Sequence, residues 1–117
     1  MGTADEDPDL FPILKSARQL ALPVIILGEY RSGIALSRNR ARYEAWLESL
    51  IADCTVLDFT RETSRHYANV VLELRKIGKP IPANDLWIAA LCRQHSLPLL
   101  SRHPHFDFVT SLRRFTW

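Results

Sequence analysis

No apolar run in this sequence approaches the roughly 20 residues that cross a bilayer, which excludes a helical membrane span. Cysteine is scarce: Cys54 and Cys92 are the only two, each inside an apolar stretch without a second thiol or a zinc-type histidine nearby. That excludes a disulfide framework, makes both residues small buried hydrophobes, and fits a reducing, cytoplasmic setting. The opening MGTADEDPDL lacks the basic-then-apolar layout of a secretory signal. An excess of one charge is missing too. Lys and Arg number 15 against 13 Asp and Glu, a formal +2, which permits a nucleic-acid partner without demanding one. No repeat, low-complexity tract or linker interrupts the chain. What is present, 47% hydrophobic and 24% charged residues over 117 positions, is the composition of one folded domain spanning residues 1–117.

Periodicity divides the chain into alternating elements. Asp7 caps and Pro8 opens a helix expected from Pro8 to Leu20, with Pro12 as a second, less comfortable proline. Leu22–Leu27, LPVIIL, is a continuous apolar run rich in β-branched residues and reads as a strand covered on both faces. Helices are expected from near Gly28 and from about Asn39 to Ala52, the second with Ala41, Ala45, Trp46 and Leu50 on one stripe. CTVLDF reads as a strand. Thr60 caps a helix running through Lys76 that Gly78 stops. A further helix runs to about Gln94, LPLLS is a buried strand and LRRFT a short last one. Such alternation predicts an α/β domain with a mostly parallel sheet between helices.

In sheets of this kind ligands gather beyond the carboxyl ends of the strands, so acidic residues that follow strands or open helices are the ones to weigh. Glu29, in LGEY, follows the run LPVIIL and is expected in the first turn of a helix. Asp85 opens the helix of IPANDLWIAAL, and SRHPHFDF follows LPLLS with His103, His105 and Asp107. Carboxylates gathered at strand ends repel one another unless a divalent cation neutralises them, and oxygen ligands suit Mg²⁺ or Mn²⁺. Each carboxylate also has a plainer reading, because an acid in a first helical turn is stabilised by about 0.3–1 kcal/mol against the helix dipole without any catalytic role.

ALPVIILGEY, GKPIPANDLWIAALCRQHSLPLLSRHPHF and the closing LRRFTW together resemble the PIN-domain ribonucleases, specifically the VapC-type toxins of toxin–antitoxin pairs, from about Asp7 to the last residue. The resemblance implies a three-layer α/β/α fold and a metal-dependent endoribonuclease that hydrolyses RNA phosphodiester bonds. It also implies a VapB-type antitoxin as partner, a homodimer, and one or two Mg²⁺ or Mn²⁺ ions held by four acidic positions. Carried over by motif, Glu29 and Asp85 fall on two of those acids. Asn84 matches beside Asp85, and Ser101 matches a Ser or Thr that lies in the site.

Two departures from the family pattern set further expectations. The family's first strand, ending in Asp-Thr-Asn or Asp-Thr-Ser with the first acidic ligand, has no counterpart here. That strand lies mid-sheet, and its loss would orphan backbone groups at about 1–3 kcal/mol each, against a total stability of about 5–15 kcal/mol. Met1 is therefore expected to be internal to a longer reading frame, the alternative being a strand supplied by swapping or by a partner. The family's fourth acid is replaced by His103, an imidazole that favours softer ions such as Mn²⁺ or Zn²⁺ over Mg²⁺. His103 is thus either a ligand itself or lies outside the shell with Asp107 compensating. Two of four acids remain, so the expected function is an impaired ribonuclease; the alternative is an inactive PIN-like module that binds an antitoxin or a dimer partner. His105 and Phe106 form the family's His-Phe pair and read as structural. Trp46, Trp87 and Trp117 read as core or interface aromatics, and Arg31, Arg38, Arg40 and Arg42 as RNA-phosphate contacts or a solvated helix face.

Overall fold

A computed structural model of the chain describes residues 20–116. The expected first helix, from Pro8, and the question of a missing first strand fall outside the described residues, as does Trp117. The chain divides after Asp58 into two compact units, each with its own pair of parallel strands.

In the first unit, strand β1 (Leu20–Pro23) is followed by helices α1 (Val24–Ile34) and α2 (Arg40–Ala52) and by strand β2 (Cys54–Leu57). The strands pair in parallel with Leu20 opposite Cys54 and Pro23 opposite Leu57. The run Leu22–Leu27 is therefore not one strand, as its composition suggests: it is cut at Pro23, and its remainder opens α1. Pro23 has no N–H to continue a ladder and stands, still extended, directly before the first helical residue. A continuous apolar run satisfies the strand and helix periods equally, and here the tie is broken further along. Leu27, Tyr30 and Ile34 recur at helical spacing and pack with Leu47, Tyr43, Trp46 and Ile51 of α2. The Tyr30 and Trp46 rings meet at 5.7 Å. Arg31 of α1 reaches across to Glu44 and, at 2.8 Å, to Glu48 of α2.

The second unit holds helices α3 (Arg61–Lys76) and α4 (Ala83–Gln94), strands β3 (Leu99–Leu100) and β4 (Arg114–Phe115), and a 3-10 helix over Pro104–Phe108. Thr60 caps α3 through a reciprocal pair: the Thr63 N–H donates to Thr60 Oγ1 and the Thr60 N–H donates to Thr63 Oγ1. At the far end Gly78, at φ +67°, lets the Lys79 N–H return to the Leu74 carbonyl at 3.0 Å. The same closure ends α4, where Ser96 takes the left-handed position at φ 54° and the Leu97 N–H reaches the Cys92 carbonyl at 2.9 Å.

Helix α4 buries Ile88, Ala89, Ala90, Leu91 and Cys92, more than one face of it, as a central helix does. Its alanines let α3 approach with Val70 and Leu74, both fully buried. Burial pushes the Cys92 thiol up to about 11, so it stays a neutral core group. Trp87 stacks on Tyr67 of α3 at 3.9 Å and tilts against Phe59 at 5.2 Å, a packing role for this tryptophan. Thr63, fully buried, donates to Gln94 Oε1 at 2.6 Å and so ties the start of α3 to the end of α4.

Candidate metal centre

The segment IPAND sets the chemistry. Ile81 is buried, Pro82 precedes the first helical residue, and Asp85 comes third in α4, with its side chain 15% exposed. The opposing wall is the loop that leaves β3. Parallel pairing of β3 with β4 puts Leu99 opposite Arg114 and Leu100 opposite Phe115, and the Ser101 N–H continues it to the Phe115 carbonyl at 2.9 Å. Arg114 then clamps the loop from β4. Its Nε and Nη2 donate to the two oxygens of Asp107 at 2.8 and 2.9 Å, while Nη1 donates to the Ser101 carbonyl at 3.0 Å. Ser101 Oγ accepts the His103 N–H at 3.1 Å, Pro104 starts the 3-10 helix, and Phe106, 2% exposed, anchors it.

These constraints turn both histidines towards Asp85. His105 Nε2 lies 2.8 Å and His103 Nδ1 4.0 Å from Asp85 Oδ2. One ligating atom from each of the three residues falls within 4.8 Å of the others. Close as it is, the His105 contact is not a hydrogen bond. Nε2 is buried and without a hydrogen-bond partner, so the carboxylate lies off the axis along which that nitrogen donates or accepts. His103 is the open side of the group, 63% exposed.

His105 is the residue that sequence reasoning underrated. It was expected to be structural, yet it stands closest to Asp85. The available signal was the His-Pro-His spacing: a proline that starts a tight helix between two histidines brings both rings to one side. Asp107 does not join this group. Both its oxygens face Arg114, whose hydrogen bonds hold the carboxyl below the usual carboxylate range. Ser101 acts through the loop, by its bond to the His103 N–H. Asn84, one residue before Asp85, is exposed and has contacts of its own.

The other expected site residues belong to the first unit. Glu29 is half-buried in the second turn of α1, which has no acidic residue in its first turn. The expected first-turn placement is thus corrected by the early start of α1, and with it goes the dipole explanation, since that effect fades within one turn. The Arg31 guanidinium is engaged by two carboxylates, and its hydrogen bond to Glu48 raises its pKa further. Arg38, Arg40 and Arg42 are exposed.

The sequence model of the PIN domain matches residues 5–110. The chain belongs to the PIN-domain family. Within it the relatives are VapC proteins. Ribonuclease VapC2 of Haemophilus influenzae is 32% identical over 104 residues, covering 88% of this chain and 79% of that protein. Ribonuclease VapC5 of Mycobacterium tuberculosis is 32% identical over 112 residues, covering 86% and 82%. Among solved structures, VapBC-1 of nontypeable Haemophilus influenzae superposes with a TM-score of 0.76 at 28% identity, over 85% of this chain and 75% of that one. A FitAB complex bound to an IR36 DNA fragment reaches 0.81 at 26% identity, over 95% and 83%. The PIN fold accounts for the mixed helices and parallel strand pairs, and PIN ribonucleases as a family depend on divalent metal.

Whether the metal expected of the family fits can be judged from the donors in the second unit. One carboxylate and two imidazoles do not make a site for Mg²⁺, which demands a shell of oxygens. They suit a borderline ion better.

Proposed function

We propose that this chain is the toxin of a VapBC-type pair: a divalent-metal-dependent endoribonuclease that hydrolyses RNA phosphodiester bonds, impaired by His103 where the family has its fourth acid. The observation that carries this reading is the 32% identity to a ribonuclease VapC over 88% of the chain, with Asp85 at the head of α4 in the matching motif. The family model runs through both units, which we take as one domain. Glu29 and Asp85 are the acids the reading retains, with Asn84 and Ser101 supporting and Arg38 offered to RNA phosphate. A divalent ion in such a site supplies charge neutralisation at the scissile phosphate and an acidified attacking water. Of the two ions expected, Mn²⁺ is the one a histidine-bearing donor set tolerates. The partner is a VapB-type antitoxin, by likeness to solved VapBC complexes, and the reading adds a second copy of the chain. Among the described residues no helix is long and apolar enough to cross a membrane.

A second reading, an inactive module that only binds its antitoxin, draws on one observation: a histidine where the family has an acid, beside an imidazole in contact with Asp85. Cleavage of a mixed RNA pool with Mn²⁺, with and without EDTA, separates the two. Slow, EDTA-sensitive cleavage that Asp85→Ala and Glu29→Ala each abolish supports the enzyme. Absence of cleavage with any divalent ion, in a chain that still binds a VapB-type protein, establishes the module. Cleavage that persists in EDTA or in Asp85→Ala refutes the assigned site.

A further inference from the structure

Asp85, His103 and His105 differ in kind from an all-carboxylate site. We propose that they bind a borderline divalent transition ion of the zinc and cobalt class and discriminate against Mg²⁺. This shares a site with the functional reading above, but ion binding is measurable whether or not RNA is cut.

Geometry makes the first argument. Ligands of this type sit about 2.0–2.2 Å from such an ion, so neighbouring donors in a tetrahedral shell lie roughly 3.4 Å apart. The separations from Asp85 Oδ2, 2.8 Å to His105 Nε2 and 4.0 Å to His103 Nδ1, fall on either side of that value. The second argument is the state of His105. Its Nε2 is buried, lacks a hydrogen-bond partner and borders the carboxylate, the condition of a nitrogen available to a cation rather than committed to a proton contact. A metal ligand has to be free in that sense.

Support from behind the ligands makes the third argument. Arg114 grips both ends of the loop that carries the histidines, through Ser101 and Asp107, and the buried Phe106 anchors it. Fixing ligands through a surrounding hydrogen-bonded shell is how proteins tune a metal site. The 63% exposure of His103 leaves the outward positions of the shell to water or substrate. Selectivity follows from the donors. Imidazole favours Zn²⁺, Co²⁺ and Ni²⁺, whereas Mg²⁺ keeps its waters unless several oxygens replace them.

The test titrates the metal-stripped full chain with Zn²⁺, Mn²⁺ and Mg²⁺ by calorimetry, and with Co²⁺ by visible absorption. Binding of one Zn²⁺ per chain is expected, at least about a hundredfold tighter than Mg²⁺ and tighter than Mn²⁺. His105→Ala and the more exposed His103→Ala should each weaken Zn²⁺ by about tenfold or more and dim the Co²⁺ bands, while His66→Ala leaves both unchanged. If His105→Ala does not fold, His103→Ala decides. Zn²⁺ and Mg²⁺ binding within tenfold of each other, or Zn²⁺ affinity indifferent to both histidines, overturns the proposal. Selective Zn²⁺ binding without RNA cleavage leaves this site standing and removes the enzyme reading.

Discussion

Removing the Thr63 hydroxyl together with its partner should cost less than the two removals summed. Thr63 is fully buried where α3 starts; its Oγ1 accepts the Thr60 N–H at 2.9 Å and donates to Gln94 Oε1 at 2.6 Å. Thr63→Val keeps the shape and leaves those two groups without their partner. An orphaned buried group costs about 1–3 kcal/mol. Thr60 is exposed and Gln94 half-buried, so water recovers part of this and about 1–2 kcal/mol remains. For a domain of this size that lowers Tm by roughly 4–8 °C. Replacing both partners, Thr63→Val with Gln94→Met, leaves no orphaned amide oxygen at the helix junction. The pair should therefore be less damaging than the sum of the single changes, by about 1 kcal/mol. Urea unfolding of the four proteins measures this cycle. A neutral Thr63→Val, or strict additivity, would refute the idea that this hydroxyl joins α3 to the helix carrying Asp85.

Other outcomes follow from particular backbone and charge arrangements. Ser96→Gly should raise stability by about 0.5–1 kcal/mol, because Ser96 sits at φ 54° with a Cβ that glycine lacks; thermal unfolding reads the gain. Gly78→Ala should cost about 1 kcal/mol by the converse, and since nothing lies within 4 Å of the added Cβ, all of it is backbone strain. Glu73 is held below the ordinary carboxyl value of 4.5, first by the hydrogen bond from Arg93 and then by that from Thr110. A depressed carboxyl stabilises the fold above its unfolded pKa and loses that contribution as pH falls through the folded one. Glu73→Gln should therefore be less stable than the parent at pH 7, and the gap should narrow progressively as pH falls below 4.5, as followed by urea midpoints across pH.

Local signals sufficed where one element carried its own start and stop. Thr60 and Gly78 bracket α3 because a capping hydroxyl and a left-handed glycine act within a single turn, and α4 begins at IPAND, where Pro82 stands directly before the first helical residue. The family pattern was equally legible, since its motifs are contiguous. Three other features were not local. Leu22–Leu27 fits a strand or a helix by composition, and only the packing of Leu27, Tyr30 and Ile34 against α2 chooses the helix, which in turn moves Glu29 beyond the first turn. Arg31 is engaged by Glu44 and Glu48, partners one helix away that no spacing along α1 indicates. His105 meets Asp85 because β3 pairs with β4 and Arg114 draws the intervening loop down, joining residues that the sequence keeps twenty positions apart. Residue types and order determined the elements and the family; long-range pairing, which depends on where distant side chains converge, decided which atoms face the candidate metal.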